Sequence, residues 1–335
     1  MRNITDPLMI QAEDSSKHPN LSSRSMQKAR RAMNTTAQMS RLDKKVRRWV
    51  KQWPDMPINR ELFLTEPSSV ISDYLDDKAD HFTLSQASLD LSIWHTLNYE
   101  KDLLSGISSS EHLCLASLYS GQSLALARTL IAEGLNISIL PNDASLSLGL
   151  AAAANQKDEF TARHEILIEG LTSPLLDFST STNPKNEKGE LFSHLWFMMK
   201  LHLKTMNVEL DVSNISHPAH LLPYERALEN WDTRDEKIVQ SLISEMAEFH
   251  ISNTTPITPD DIAEFDYEYT MLFPYEIITF LQIRTWNGLV NPEKFDHPLM
   301  SHPLSLHQTA THAQLPESFR SAVLKFNCRR EHQAV

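Results

Sequence analysis

The chain has 335 residues, of which 41% are hydrophobic and 22% charged, a composition typical of soluble globular proteins. Its formal net charge of −12 argues against nucleic-acid binding through the body of the protein. The 7 glycines are too few for a strand-rich fold with hairpin turns, or for a glycine-rich phosphate loop, and they favour an all-α protein.

The amino-terminal part of the chain is basic. Residues 1–53 carry twelve Lys/Arg and four Asp/Glu, a balance of +8, which leaves −20 for the remainder. Residues 1–21 are polar and predict a mobile tail. Residues 22–53 predict a basic amphipathic helical arm, with five apolar residues on one face: Leu42, Val46, Trp49, Val50 and Trp53. Such a helix can lie on a membrane or touch nucleic acid, but we expect its tryptophans to pack on the body instead.

The next prolines, Pro54, Pro57 and Pro67, predict a linker over residues 54–67. Residues 68–300 show apolar stripes at helical spacing and predict a helical body. Its helices come in pairs roughly 30–45 residues apart without a consensus repeat. We therefore predict an irregular array or bundle of antiparallel helix pairs, with solenoid-like stacking as the alternative. Residues 301–335 lose the periodicity and predict a C-terminal tail.

Single elements of this body can be predicted further. Glycines that follow apolar stripes, among them Gly106, Gly121 and Gly134, predict helix ends. Residues 190–206 are apolar on nearly every side and predict a central buried helix. Its expected core residues are Leu195, Trp196, Met199 and Leu203. The alternating segment 208–212 is the one candidate strand, and it is short.

No motif of a known catalytic or phosphate-binding class occurs: HExxH, GxSxG, GxxxxGK[ST] and CxxC are missing from the sequence. Four histidines recur every five residues, at 297, 302, 307 and 312. Successive rings would diverge by about 140° on a helix, and intervening prolines exclude a regular helix. A loop could gather them around a metal, but we expect solvated histidines in a polar tail, with no metal and no cofactor.

The most unusual composition lies at the start of residues 257–300, where acids alternate with aromatic residues before a strongly apolar helix. Carboxylates and tyrosines held on a rigid helix suit a binding face for a basic partner. The candidate partner-binding residues are Asp261, Glu264, Asp266, Tyr267, Glu268 and Tyr269. The alternative for each is a solvated acid or a ring of the core.

Two segments resemble a known family. Leu272–Met300, LFPYEIITFLQIRTWNGLVNPEKFDHPLM, resembles the closing part of a helical family of bacterial immunity proteins against polymorphic toxins. Leu113–Gly134, LCLASLYSGQSLALARTLIAEG, resembles that family's paired small-residue helices, and the similarity covers residues 84–300 loosely. The resemblance implies a non-catalytic protein that binds and silences a cognate toxin, such as a nuclease whose cationic cleft an acidic patch would occupy. It identifies no binding residue and does not cover the basic arm.

Two other functions stay open: a helical-repeat scaffold or adaptor with a different partner, and an enzyme with an unfamiliar site. The cysteines, Cys114 and Cys328, are too few for a disulfide framework. The amino terminus has no continuous apolar region typical of a signal peptide, and no run reaches the ~18 apolar residues of a membrane span. We therefore expect a cytoplasmic protein.

Overall fold

The computed structural model describes residues 21–108, 110–176, 178, 192–212, 215, 217–254, 263–265, 267–306 and 313–333. Within these residues the protein is all-α, as predicted, and contains no strand. The one pairing of extended backbone among them is an isolated parallel bridge between Ile139 and Leu176. Residues 208–212, the candidate strand, are irregular.

The described part of the chain forms the following helices. The first six are α1 Leu21–Gln52, α2 Pro57–Arg60, α3 Glu66–Leu75, α4 His81–Leu104, α5 Ser110–Ala132 and α6 Pro141–Ala153. The others are α7 Lys157–Gly170, α8 Ser193–Thr205, α9 Tyr224–Glu229, α10 Glu236–Ser252, α11 Tyr275–Trp286 and α12 Glu317–Gln333. Short 3₁₀ turns cover Trp53–Asp55, Pro298–Ser301 and Pro303–Ser305, and a π-helical turn covers Glu61–Thr65.

Side chains that the sequence places at helix ends account for several of these boundaries. The carboxylate of Asp80 accepts the N–H of Thr83 at 2.8 Å and caps α4, and Asp235 caps α10 by accepting from Lys237. Gly106 and Gly134 follow α4 and α5, as predicted. Gly121 does not end a helix but lies inside α5. A Cβ added there would come within 2.7 Å of the Arg163 guanidinium, so this glycine lets α7 approach α5.

The main core surrounds α8, and all four residues predicted to be buried on that helix are buried: Leu195, Trp196, Met199 and Leu203. Among the other helices, α5, α6, α10 and α11 contribute the largest shares of this core. Helices α6 and α11 lie especially close together, because a Cβ added to Gly149 would be 2.5 Å from the Cβ of Tyr275. The prediction of a central apolar helix is confirmed.

Helix α1 is part of this body, at least from residue 35 onward. Its inward face is buried in the main core, through Met39, Leu42, Val46 and Val50. Polar contacts add to this packing, since Thr35 donates to the Glu248 carboxylate at 2.9 Å and Gln38 donates to the carbonyl of Ile251 at 2.8 Å. Trp49 and Trp53 also pack against the core, as expected. The basic segment is therefore a structural helix and not a projecting arm.

The segment predicted as a linker, residues 54–67, is helical. Each of its prolines lies in the first turn of a short helix, where its missing N–H costs nothing: Pro54, Pro57 and Pro67. Pro54 and Pro67 are buried, and the ring of Phe63 lies 4.8 Å from that of Trp53. The prolines restart the helix and do not separate two domains.

The prediction of a C-terminal tail is wrong for residues 317–333, which form α12. Its apolar stripe consists of Phe319, Ala322 and Phe326, all buried in a second core. The partners in this core come from α3, α4 and α5: Ile71, Tyr74, Leu84, Leu91, Tyr119, Leu126 and Leu130. Helix α12 therefore covers one end of the helical body. Among the described helices, none combines the length and apolarity that a membrane crossing requires.

We expect Phe326→Ala to lower the free energy of unfolding by about 3–5 kcal/mol, because it empties a fully buried ring site. Leu324→Ala on the same helix is the matched control. Leu324 is 65% exposed, and its loss should change stability by less than about 0.5 kcal/mol. Urea unfolding of both variants is the measurement. Equal, small effects would show that α12 does not contribute to the core.

Candidate functional site

The acidic-aromatic segment divides into a buried part and a half-exposed part. Residues 263–265 enter the core, whereas residues 267–269 reach the surface. Asp261 and Asp266 lie outside the described residues. Glu264 is only 5% exposed. The prediction that it is a surface acid is therefore wrong, and a partner cannot contact it in this conformation.

The Glu264 carboxylate is held by the first turn of α8. It accepts hydrogen bonds from the Ser193 hydroxyl at 2.8 Å and from the Ser193 N–H at 3.3 Å. Its second oxygen lies 2.8 Å from Nδ1 of His194. On the other side of that ring, Nε2 lies 2.8 Å from the Ser145 hydroxyl, which is 3.3 Å from the Tyr275 hydroxyl. One polar chain therefore joins α6, α8 and α11.

The order of serine, imidazole and carboxylate in this chain is that of a serine hydrolase triad. Burial argues against the same role here, since Ser145 and His194 are 0% exposed and a substrate carbonyl cannot reach the hydroxyl. The Ser145 oxygen also lies 2.8 Å from the carbonyl of Pro141, one turn earlier in α6. Every member has a partner, which is what buried polar groups require for stability. The arrangement supports a structural role.

A second buried pair lies beside the first. Nδ1 of His250 is 2.9 Å from the Glu276 carboxylate, and both side chains are 0% exposed. Nε2 of the same ring faces the carbonyls of Thr270 and Met271 at 3.2 Å. Both nitrogens thus face acceptor groups. The ring of Phe265 lies between the two pairs, 4.9 Å from His194 and 3.9 Å from His250.

Further acids and phenols, either buried or partly buried, lie near these pairs. Burial raises the pKa of Glu100 well above its ordinary value, and neither oxygen has a hydrogen-bond partner among the described groups. Burial also raises the pKa of Asp143 to about 6, and it raises the pKa of Tyr275 and Tyr269. The centre of the protein is therefore polar but favours the neutral forms of these groups.

The half-exposed part of the segment forms one surface with α1. The rings of Tyr267 and Tyr269 stack with centroids 5.3 Å apart, and Tyr269 stacks on Trp49 at 6.4 Å. Glu268 pairs with Lys45 of α1 at 3.5 Å. We call Trp49, Tyr267, Glu268 and Tyr269 the aromatic face. It has one described acid, Glu268, and that acid is paired with a cation.

The regularly spaced histidines do not form a described metal site. His297 and His302 are buried and each caps a 3₁₀ turn, where Nδ1 accepts the N–H two residues on. Their other nitrogens face different carboxylates, Glu248 at 3.4 Å and Asp43 at 3.0 Å. His307 and His312 lie outside the described residues. The expectation of solvated histidines is therefore wrong for the first two, and no described group of three ligands could hold a metal.

One histidine pair was not predicted, because its members lie on different helices. Nδ1 of His95 on α4 and Nδ1 of His112 on α5 are 2.8 Å apart, while the ring centroids are 5.1 Å apart. A nitrogen lies roughly 1.2 Å from the centre of its ring, so these distances place the two nitrogens on the line between the rings. This is the geometry of a linear N–H···N hydrogen bond between two rings, one donating and one accepting.

Comparison of the chain with protein-family models, with curated proteins and with solved structures gives no match. The resemblance to immunity proteins is thus not supported by these comparisons. The functional argument depends on the aromatic face, on the buried network beneath it and on the distribution of charge.

We expect Glu264→Gln to lower the free energy of unfolding by about 1–3 kcal/mol. The amide keeps only one acceptor oxygen, so it cannot serve both Ser193 and His194 as the two carboxylate oxygens do. Glu268→Gln, four residues later and half-exposed, is the control and should change stability by less than about 1 kcal/mol. Chemical unfolding at neutral pH measures both. Equal losses in the two variants would contradict the buried position of Glu264.

Stability should fall in acid partly through His95. Burial and the charge of His112 lower the pKa of His95 from 6.5 to about 3. The folded state thus favours the neutral ring of His95. The contribution of this ring to the free energy of unfolding is fully present above pH 6.5 and is lost as the pH falls toward 3. Between pH 7 and pH 5 this linkage amounts to about 2 kcal/mol. His95→Gln should reduce the loss measured by urea unfolding, whereas His220→Gln, at an exposed site, should leave it unchanged.

Proposed function

We propose that the protein is an immunity protein: it binds a cognate bacterial toxin domain in the cytoplasm and neutralises it without catalysis. The aromatic face is the contact surface in this proposal. The observation that carries the proposal is the stack of Trp49, Tyr269 and Tyr267, three partly buried rings that reach the surface where α1 meets residues 267–269. The sequence resemblance of residues 84–300 supports the same function.

Side chains of this type account for much of the energy at protein interfaces. Tyrosine and tryptophan are enriched among residues whose removal weakens binding most. Such side chains lose little conformational entropy on binding when they are already ordered in the free protein. Here the turn is closed by two hydrogen bonds to the Tyr267 carbonyl, one from the N–H and one from the hydroxyl of Thr270, at 2.8 and 2.9 Å. Glu264 and Phe265 anchor the chain in the core just before this turn.

Charge would act at a longer range. The chain beyond residue 53 carries −20, which attracts a cationic toxin domain and raises its association rate. The ion pair between Lys45 and Glu268 lies at the edge of the aromatic face and is half-exposed, so it contributes little stability on its own. In this proposal the rings determine how long the complex lasts, and the acidic body determines how fast it forms.

A scaffold or adaptor role is the second candidate, and an apolar cleft whose lining shares no residue with the aromatic face favours it. The cleft lies between α11 and residues 291–306 and has a volume of about 490 Å³. Leu281, Phe295 and Met300 line it, and Leu306, which is 50% exposed, lies at its border. A partner that needed this cleft and not the aromatic face would favour the adaptor role.

The test uses the protein encoded by the reading frame next to the gene of this chain as the candidate toxin. Co-expression should restore growth of cells that produce the toxin. Tyr269→Ala should raise the dissociation rate about tenfold or more in surface binding kinetics, as expected for an aromatic anchor. Phe82→Ala, which removes a 49% exposed ring on α4, is the matched control and should leave binding unchanged.

Melting curves separate a binding defect from a folding defect, since Tyr269 also packs on Trp49. Glu268→Lys releases Lys45 and should change the association rate and its salt dependence more than the dissociation rate. Full protection by a folded Tyr269→Ala variant would remove the aromatic face from the interface. Failure of the unaltered chain to bind or protect would refute the immunity function.

A further inference from the structure

The outward side of α1 is strongly basic, although the protein as a whole is acidic. Over Leu21–Gln52 the sequence has ten Lys/Arg and a single acid, Asp43. Five of the cations occupy one exposed face, opposite the apolar face that enters the core: Arg41, Lys44, Lys45, Arg48 and Lys51. Their separations of three and four residues bring neighbouring side chains together.

Most of these cations have no ion-pair partner among the described residues. Lys45 pairs with Glu268 at 3.5 Å, but none of the other four has an ion pair with a described residue. Arg47, beside them, is held by Asp43 at 2.7 Å. The eleven residues from Arg41 to Lys51 span about 15 Å along the helix axis. A cluster of like charges this close favours an anionic ligand with several charges in a row.

The same side chains border a shallow concavity of about 530 Å³. It is lined by Lys44, Lys45, Arg48, Trp49 and Gln52, which we call the basic cradle. Three of these residues are cationic, one offers an aromatic ring, and one offers an amide that can donate and accept. Helix α1 is anchored through its buried face, so the cradle is held on a rigid element.

This composition distinguishes between anionic ligands. Single-stranded nucleic acid presents phosphates to cations and bases to aromatic rings, and sites for it combine these two kinds of side chain. An acidic peptide offers the charges but no planar base for Trp49. A membrane surface is broad and does not enter a concavity. We propose that the basic cradle binds single-stranded nucleic acid, with phosphates on Lys44, Lys45 and Arg48 and a base against Trp49.

This proposal does not depend on the immunity function, and it concerns α1 alone, since the acidic remainder of the chain repels a strand. That repulsion predicts a short footprint and modest affinity. For three or four neutralised phosphates, log K should fall with log salt with a slope of roughly −2 to −3. Binding should therefore be measured at low ionic strength, about 50 mM, where this electrostatic contribution is largest.

The probe is a fluorescein-labelled ten-nucleotide strand, oligo-dT or oligo-U, followed by anisotropy with the full chain. We expect saturable binding that weakens at least tenfold in Lys44→Glu/Arg48→Glu. The matched control, Lys204→Glu/Lys237→Glu, makes the same charge change on α8 and α10 and should change affinity less than threefold. Trp49→Leu should weaken binding about fivefold or more through the lost stacking. Melting curves confirm that each variant is folded.

Two comparisons test the role of the base and the kind of polyanion. An abasic deoxyribose-phosphate strand of equal length should bind at least fivefold more weakly than oligo-dT. Equal affinity for the abasic strand and for oligo-dT would overturn the proposal, because it would show attraction to any polyanion. Equal weakening of binding by the cradle double variant and by the control double variant would overturn it for the same reason. Binding to phosphatidylserine vesicles without binding to either strand would also overturn it, and so would no binding at 50 mM salt.

Discussion

Two buried histidine–carboxylate pairs determine how the centre of the protein is assembled. A buried carboxylate is costly unless a cation or several donors offset the loss of water. Glu264 meets this requirement through Ser193 and His194. Glu276 meets it through His250 at one oxygen, while its other oxygen has no partner among the described groups. The ring of Phe265 lies between the two imidazoles. The participating groups come from α6, α8, α10, α11 and the segment before α11. Any other packing would leave further buried polar groups without partners, so these elements pack together in one arrangement.

The aromatic face is a consequence of that arrangement. Glu264 and Phe265 are fixed inside, and Thr270 and Met271 re-enter the core five residues later. The chain between them must pass over the surface, where Tyr267 and Tyr269 stack on each other and on Trp49 of α1. Helix α1 is fixed in turn by its own buried side. The surface rings are therefore ordered by contacts made beneath them, which makes this face suitable for binding.

The sequence predicts the class of fold well, because helical stripes, scarce glycine and the apolar character of α8 are local properties. It fails where the deciding partner is distant. Glu264 and Glu268 look alike in the sequence, yet one is held by His194, 70 residues away in the chain, and the other faces solvent. The stripe of α12 is hard to predict because only three positions form it, at 319, 322 and 326. Over residues 54–67 the prolines suggest breaks, although each of them fits a first helical turn.

Two residues of α1, Trp49 and Lys45, lie at both the aromatic face and the basic cradle. Trp49 stacks on Tyr269 in the aromatic face and lines the basic cradle, and Lys45 pairs with Glu268 while it borders the same concavity. A phosphate that binds Lys45 competes with Glu268 for that cation and leaves the carboxylate unpaired beside the tyrosines. Occupancy of the cradle must then alter the charge that a protein partner meets at the aromatic face. By linkage, each ligand changes the affinity of the other by the same factor, so the two sites cannot be independent if both ligands bind.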